Sequence, residues 1–268
     1  LGDLQFAVKA EDDEADSEKA VNAYNTLMDW GMQIMAGPTT SGSAAATAQK
    51  CAADKVFMLT PSASDPAVIA AGDNVFQICF TDLNQGKASA QYIKDHNLAD
   101  KIGIIYDASS PYSAGIYNTF KAEAAALGLE IAVEAPFTEG TKGDLTTQVT
   151  MCQQANCDLV FLPIYTSEAV KVLSVANSNG YSPKYFGCDG LDGILSVENF
   201  DTSLAEGVML LTPFDATATD EKTQSFVTKY TEKYGTAPNQ FAADAYDVAY
   251  VIYEACKAGG VTADMSVE

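Results

Sequence analysis

Short apolar runs alternate along the chain with stretches whose apolar residues recur every three or four positions. The first run covers residues 4–8, and after it Ala20, Val21, Tyr24, Leu27 and Met28 share one helical face. Asp16 or Ser17 opens that helix and Gly31 stops it. The pattern then predicts a strand over 32–36, a helix over about 42–53, and strands over 56–60 and 75–80. After Gln85 the alternation restarts. It predicts helices over 86–96, 112–127, 145–155 and 167–179, interleaved with strands over 102–106, 129–133, 159–163 and 185–187. A strand over 208–211 and helices over 221–234 and 240–258 complete the reading.

Strands that are apolar throughout, each followed by an amphipathic helix, belong in parallel sheets covered on both faces. Two series of about four strands each predict an α/β fold of two doubly wound lobes with a ligand cleft between them, not one wide sheet. Lobe 1 is expected over 1–82 plus 214–268 and lobe 2 over 83–213, a division that suits a chain of 268 residues. No low-complexity linker separates the series, so short crossovers should join them.

Charge narrows the function. Thirty-six acidic residues against 15 basic ones give a net charge of -21, which repels nucleic acid and anionic membrane surfaces. Every basic residue is lysine. Any ligand carboxylate or phosphate must therefore be held without a guanidinium fork. His96 is the one histidine and is expected to be solvated at a helix end, which argues against Ser-His-Asp or Cys-His catalysis and against a zinc site. Of the six cysteines only Cys152 and Cys157 are close in sequence. A disulfide between them and buried thiols are both open readings. The acidic run 11–16 lacks the glycine and final glutamate of an EF-hand loop and reads as a solvated turn capping the first helix. The longest apolar runs fall well short of a membrane span. No leader-like segment opens the chain, so any targeting segment is expected to have been removed or to lie outside it.

In open parallel sheets, ligands bind beyond the C-terminal ends of the strands. The loops there are GPTTSGS (37–43) and TPSASDP (60–66) in the first series. In the second they are YDASSPYSAG (106–115), PIYTSE (163–168) and GCDG (187–190). Gly37-x-x-x-x-Gly42-Ser43 has nearly the spacing of a phosphate loop but lacks its lysine. The first series supplies hydroxyls and helix amides, which suit an anion. The second supplies Tyr112, Tyr165 and the carboxylate of Asp189, which suit a cation. Together they fit a zwitterion.

These loops, in this order and spacing, resemble the type I periplasmic binding proteins, specifically the leucine/isoleucine/valine-binding family of ABC transporter receptors. The resemblance runs from about Leu4 to about Gly260. It implies that Ser41 binds the ligand α-carboxylate, with Thr40 and Gly42 beside it. It also implies contacts from Ser62 through its main chain and Ser64 through its hydroxyl, with Tyr112 and Tyr165 facing them. Asp189 would pair with the α-ammonium, and Phe241 would line the side-chain pocket. A non-enzymatic extracytoplasmic receptor follows, in the periplasm or on the cell surface as a lipoprotein. It would need no cofactor, would hold a small amino acid between closing lobes as a monomer, and would pass it to a membrane permease. An uncharged apolar side chain is expected, although Ser62 and Ser64 leave polar, small or aromatic ones open. The same fold also serves as the ligand-sensing ectodomain of signalling receptors. A DNA-binding repressor relative is disfavoured by the charge and by the lack of a helix-turn-helix. The chain departs from the family in lacking its opening strand, Gly-rich loop and helix, with their ligand-side tyrosine, and its last strands. It is therefore expected to represent only part of the family fold.

Overall fold

In the computed structural model, which describes residues 5–262, 264 and 265, the first helix forms where Asp16 can cap it. The Asp16 carboxylate accepts the amide of Lys19 at 2.9 Å, opening α1 (Ser17–Trp30). Gly31, at φ 98°, closes it in the left-handed conformation that glycine adopts without steric cost. Asp12 and Asp13 accept the amides of Glu14 and Ala15 within the exposed turn before it.

The chain divides into two compact units, Leu1–Phe80 with Ser225–Glu268 and Thr81–Gln224. In the first, β1 (Ile34–Ala36), α2 (Ser41–Asp54), β2 (Phe57–Thr60), α3 (Pro66–Ile69) and β3 (Val75–Gln77) follow α1. The strands pair in parallel in the order β1-β2-β3. Their core joins Tyr24 of α1 and Ala44, Ala48 and Cys51 of α2 to Met35, Met58 and Val75 of the strands. Burying a side chain such as Met58 or Val75 contributes about 1.5–3 kcal/mol.

The second unit carries α4 (Asp82–Asp95), β4 (Ile102–Asp107), α5 (Pro111–Leu127), β5 (Ile131–Phe137), α6 (Thr146–Gln154) and β6 (Leu159–Leu162). It continues with α7 (Thr166–Ser178), β7 (Lys184–Gly187) and β8 (Met209–Leu210). Its sheet is parallel throughout, in the order β5-β4-β6-β7-β8. Period-two alternation divides each central strand between two cores. Ile102, Ile104, Leu159, Phe161 and Phe186 face α4 and α5, where Ile93, Ile116 and Phe120 meet them. Ile105, Val160 and Leu162 face Val149, Val172 and Leu173 of α6 and α7. Toward the C-terminus come α8 (Glu221–Tyr234), with none of its side chains buried, and α9 (Gln240–Ala258), which buries Gln240, Val248 and Cys256.

Several expectations need correction. Residues 5–8 form no strand: Phe6 and Val8 are 50% and 89% exposed, and an extended segment without a ladder partner gains no hydrogen bonds. Leu4, the first residue of that predicted strand, lies outside the described residues. The first sheet accordingly has three strands and the second five, where about four each were expected. Helix α4 begins at Asp82, four residues before the predicted start, because Thr81 adopts an extended N-cap conformation and its carbonyl receives the amides of Asn84 and Gln85. Strand β5 starts at Ile131 because the amide of Leu129 is used to close α5, bonding to the carbonyl of Ala124 at 2.9 Å. It tolerates Pro136 as an edge strand of its sheet. His96 is exposed at the end of α4, stacked on Tyr92 with ring centroids 4.0 Å apart.

No disulfide joins the cysteines among the described residues, and Cys152 and Cys157 are buried thiols. Burial, reinforced by the neighbouring Cys157, pushes the Cys152 thiol up to about 12. Both sulfurs lie against Gly103 of β4, where an added Cβ would stand 2.6 Å from Cys152 Sγ.

One carboxylate stitches the start of β4 to that of β6. Asp158 accepts the amide of Asp100 at 3.0 Å and that of Lys101 at 2.7 Å. Burial acts to raise its pKa, but these amides outweigh it and hold the carboxyl below its ordinary range. A depressed carboxyl contributes stability above its unfolded pKa and loses it as pH falls through the folded value. Asp158→Asn should therefore lower stability by about 1 kcal/mol at pH 7, allowing for its partial exposure. Urea midpoints should converge with those of the wild type as pH falls through the depressed folded value.

Candidate functional site

The predicted residues of the first unit gather where the loops after β1 and β2 meet the start of α2. Thr60, at the end of β2, donates its hydroxyl to the carbonyl of Pro38 at 2.6 Å and accepts the amide of Ala63 at 3.1 Å. Ser62 Oγ donates to the carbonyl of Thr39 at 2.9 Å, so the two loops are laced together by side chains. Ser41, the first residue of α2, is buried, and its hydroxyl accepts the amide of Asp65 at 3.3 Å. Ser64 is fully buried in the same loop.

Thr40 is the N-cap of α2, yet its hydroxyl makes no capping bond. The hydroxyls of Thr40 and Ser43 are both buried and have no partner among the described residues. The first amides of a helix lack intrahelical acceptors and carry the positive end of its dipole. With two unpartnered hydroxyls beside them, they form a donor set suited to a carboxylate.

In the second unit the predicted residues form a connected cluster. The Tyr112 hydroxyl donates to Asp189 Oδ1 at 2.6 Å and accepts the amide of Gly190 at 2.9 Å. The rings of Tyr112 and Tyr165 stack with centroids 4.8 Å apart and planes 12° from parallel. Tyr112 and Asp189 are each 2% exposed. Burial first, and the Asp189 charge next, hold the Tyr112 phenol well above its usual range, so it stays a neutral donor. Position 190 must be glycine: a Cβ there would approach the Tyr112 oxygen to 2.7 Å and the Ile164 carbonyl to 2.8 Å.

Phe241 occupies the second position of α9 and is half-buried, with no hydrogen bond or ring contact to the hydroxyl set among the described residues. Gln85 joins these sets without having been singled out from the sequence, and Ser43, noted there only as the end of the loop resembling a phosphate loop, joins the hydroxyl set. Gln85 Oε1 accepts the amide of Asp189 at 3.2 Å. Its signal was available: Asp82, Gln85 and Ser89 fall on one face once the helix is begun at Asp82.

Parallel sheets with donor-rich loops at the strand ends are a framework for holding a small ligand. The model of the periplasmic binding protein family matches residues 2–267, and the chain belongs to that family. The Leu/Ile/Val-binding protein BraC3 of Rhizobium johnstonii is 27% identical over 250 residues, covering 92% of this chain and 65% of that protein. The leucine binding protein LivK of Thermotoga maritima has a TM-score of 0.85 at 25% identity, covering 96% of this chain and 72% of that one. The isoleucine-bound LivJ of Streptococcus pneumoniae has a TM-score of 0.84 at 26% identity, covering 92% and 70%. The chain thus spans just under two thirds of the length of BraC3.

Proposed function

We propose that this chain is the ligand-binding part of an extracytoplasmic receptor that captures an uncharged, apolar α-amino acid, branched-chain in the first instance, for an ABC importer. The observation that carries the reading is the Asp189 carboxylate, buried and oriented by the Tyr112 hydroxyl in a chain without arginine. A carboxylate held in one orientation by a neutral phenol is a ready counter-ion for a ligand ammonium.

In this reading the ligand carboxylate sits at the start of α2, on the hydroxyls of Thr40, Ser41 and Ser43 and the amides beside them, with Ser62 and Ser64 alongside. Tyr112, Tyr165 and Asp189 take the ammonium end, and Phe241 borders the side chain. The lobes, 1–82 plus 214–268 and 83–213, close on the ligand, which shifts the population only through its tighter binding to the closed form. The names of the relatives support the amino-acid class, and the hydroxyl set explains how a carboxylate is held by a protein lacking guanidinium groups.

The test is thermal unfolding with L-leucine, L-isoleucine and L-valine, and with benzoate as a carboxylate lacking an ammonium. A ligand present at a hundredfold its dissociation constant adds about 2.7 kcal/mol of stability. At least one of the three amino acids should raise the melting temperature and benzoate should not. Silence from all of the amino acids, or an equal response to benzoate, overturns the proposal.

A further inference from the structure

We propose that Gln85 is a positioning residue for the ammonium site, acting through the main chain of Asp189; this rests on the reading of Asp189 given above. The loop after β7 has to present one carboxylate in one orientation, and two helices hold it there. From α5, Tyr112 binds the Asp189 carboxylate and the Gly190 amide. From the first turn of α4, Gln85 receives the Asp189 amide at 3.2 Å.

The chemistry of Gln85 is not that of a residue kept for packing. It is fully buried, and its Nε2 has no partner among the described residues. An amide with one unpaired end is a poor filler, since an apolar side chain of the same length would avoid the unpaired donor. Nor is it alone. Asp82, Gln85 and Ser89 form a buried polar stripe along α4, beside the apolar stripe that Ala90 and Ile93 contribute to the core. Ser89 Oγ lies 3.9 Å from Cys188 Sγ, the residue before Asp189. The stripe therefore faces the 188–190 loop at two points one helical turn apart.

The experiment compares wild type, Gln85→Met, Asp189→Asn and the double variant in calorimetric titrations with L-leucine. Hydrogen exchange at the Asp189 amide is measured in parallel on the unliganded proteins. Gln85→Met keeps the side-chain length and removes both polar atoms. It should weaken L-leucine binding about tenfold, move the urea midpoint little, since one unpaired donor is removed as the Asp189 amide loses its acceptor, and speed exchange at the Asp189 amide at least tenfold. In the Asp189→Asn background it should change affinity less than twofold, because a residue acting through Asp189 has nothing further to lose there. Unchanged affinity, unchanged exchange, or full additivity in the double variant overturns the assignment. If Gln85→Met does not fold, Gln85→Glu retains the acceptor oxygen and should keep slow exchange at the Asp189 amide, and fast exchange there overturns the proposal. Failure of the wild type to bind any amino acid ends the functional reading and this assignment together. Binding that ignores Gln85→Met ends the assignment alone.

Discussion

Asp189→Asn is expected to remove most of the stabilisation that L-leucine confers while leaving the unliganded melting temperature almost where it was. The substitution conserves shape, and an asparagine oxygen can still accept the Tyr112 hydroxyl that lies 2.6 Å from Oδ1. What it removes is charge. In the free protein that charge is buried beside a neutral phenol, so its loss costs little and can relieve desolvation. In the complex it leaves an ammonium without its counter-ion, and breaking a buried pair from one side costs about 3–5 kcal/mol. Affinity should fall by about two to nearly four orders of magnitude, read by calorimetry together with scanning fluorimetry. A thermal shift that persists at wild-type size would show that the ammonium is held elsewhere.

The largest effect on folding is expected from Gly86→Ala. In most helices that change stabilises by about 1 kcal/mol. Here α4 lies so close to α5 that a Cβ on residue 86 would stand 2.6 Å from the amide nitrogen of Phe120 and 2.8 Å from the carbonyl oxygen of Ile116. Both are backbone atoms that cannot rotate aside. The helices would have to separate, loosening the contacts of Ile93, Ile116 and Phe120 in the core they share. Overpacking of this kind costs about 3 kcal/mol, outweighing the gain in helix propensity and leaving a net loss of about 2 kcal/mol. The urea midpoint should fall accordingly. Gly140→Ala is the control: the nearest atom to an added Cβ there is Thr138 Oγ1 at 4.0 Å, and the midpoint should hardly move. A Gly86→Ala protein as stable as the wild type would mean that the two helices do not meet at this spacing.

Helical periodicity was the most legible signal. Helices α8 and α9 occupy the residues expected from their apolar spacing, and α1, α2, α5 and α7 differ by a residue or two at their ends. The reason is local: caps such as Asp16 and Gly31 act within one turn. Residues 5–8 show the opposite case. Their apolar content suits a strand, but a strand needs a neighbour, and apolar content cannot provide one. The start of α4 failed for a related reason. Asp82, Asn84 and Gln85 look like a polar loop, and only partners supplied by residues far along the chain, such as the amide of Asp189, make buried polar side chains tolerable in a helix.

Candidate site residues divide along the same line. The hydroxyl loops after β1 and β2 and the Asp-Gly turn after β7 stand out because their residue types and order are informative in a single strand-to-helix passage. Gln85 does not, because what distinguishes it is a polar atom unpartnered among the described residues in a dry place, a property of the assembled interior. By itself the amino-acid order determined the alternation of elements, the absence of any guanidinium group from the chain, and the family. Tertiary packing alone decided which strands found partners, that α4 and α5 touch through Gly86, and that the Asp189 turn is held from two helices. Hydrogen bonds between residues a hundred positions apart are set by burial and close approach, and neither quantity exists until the chain has folded.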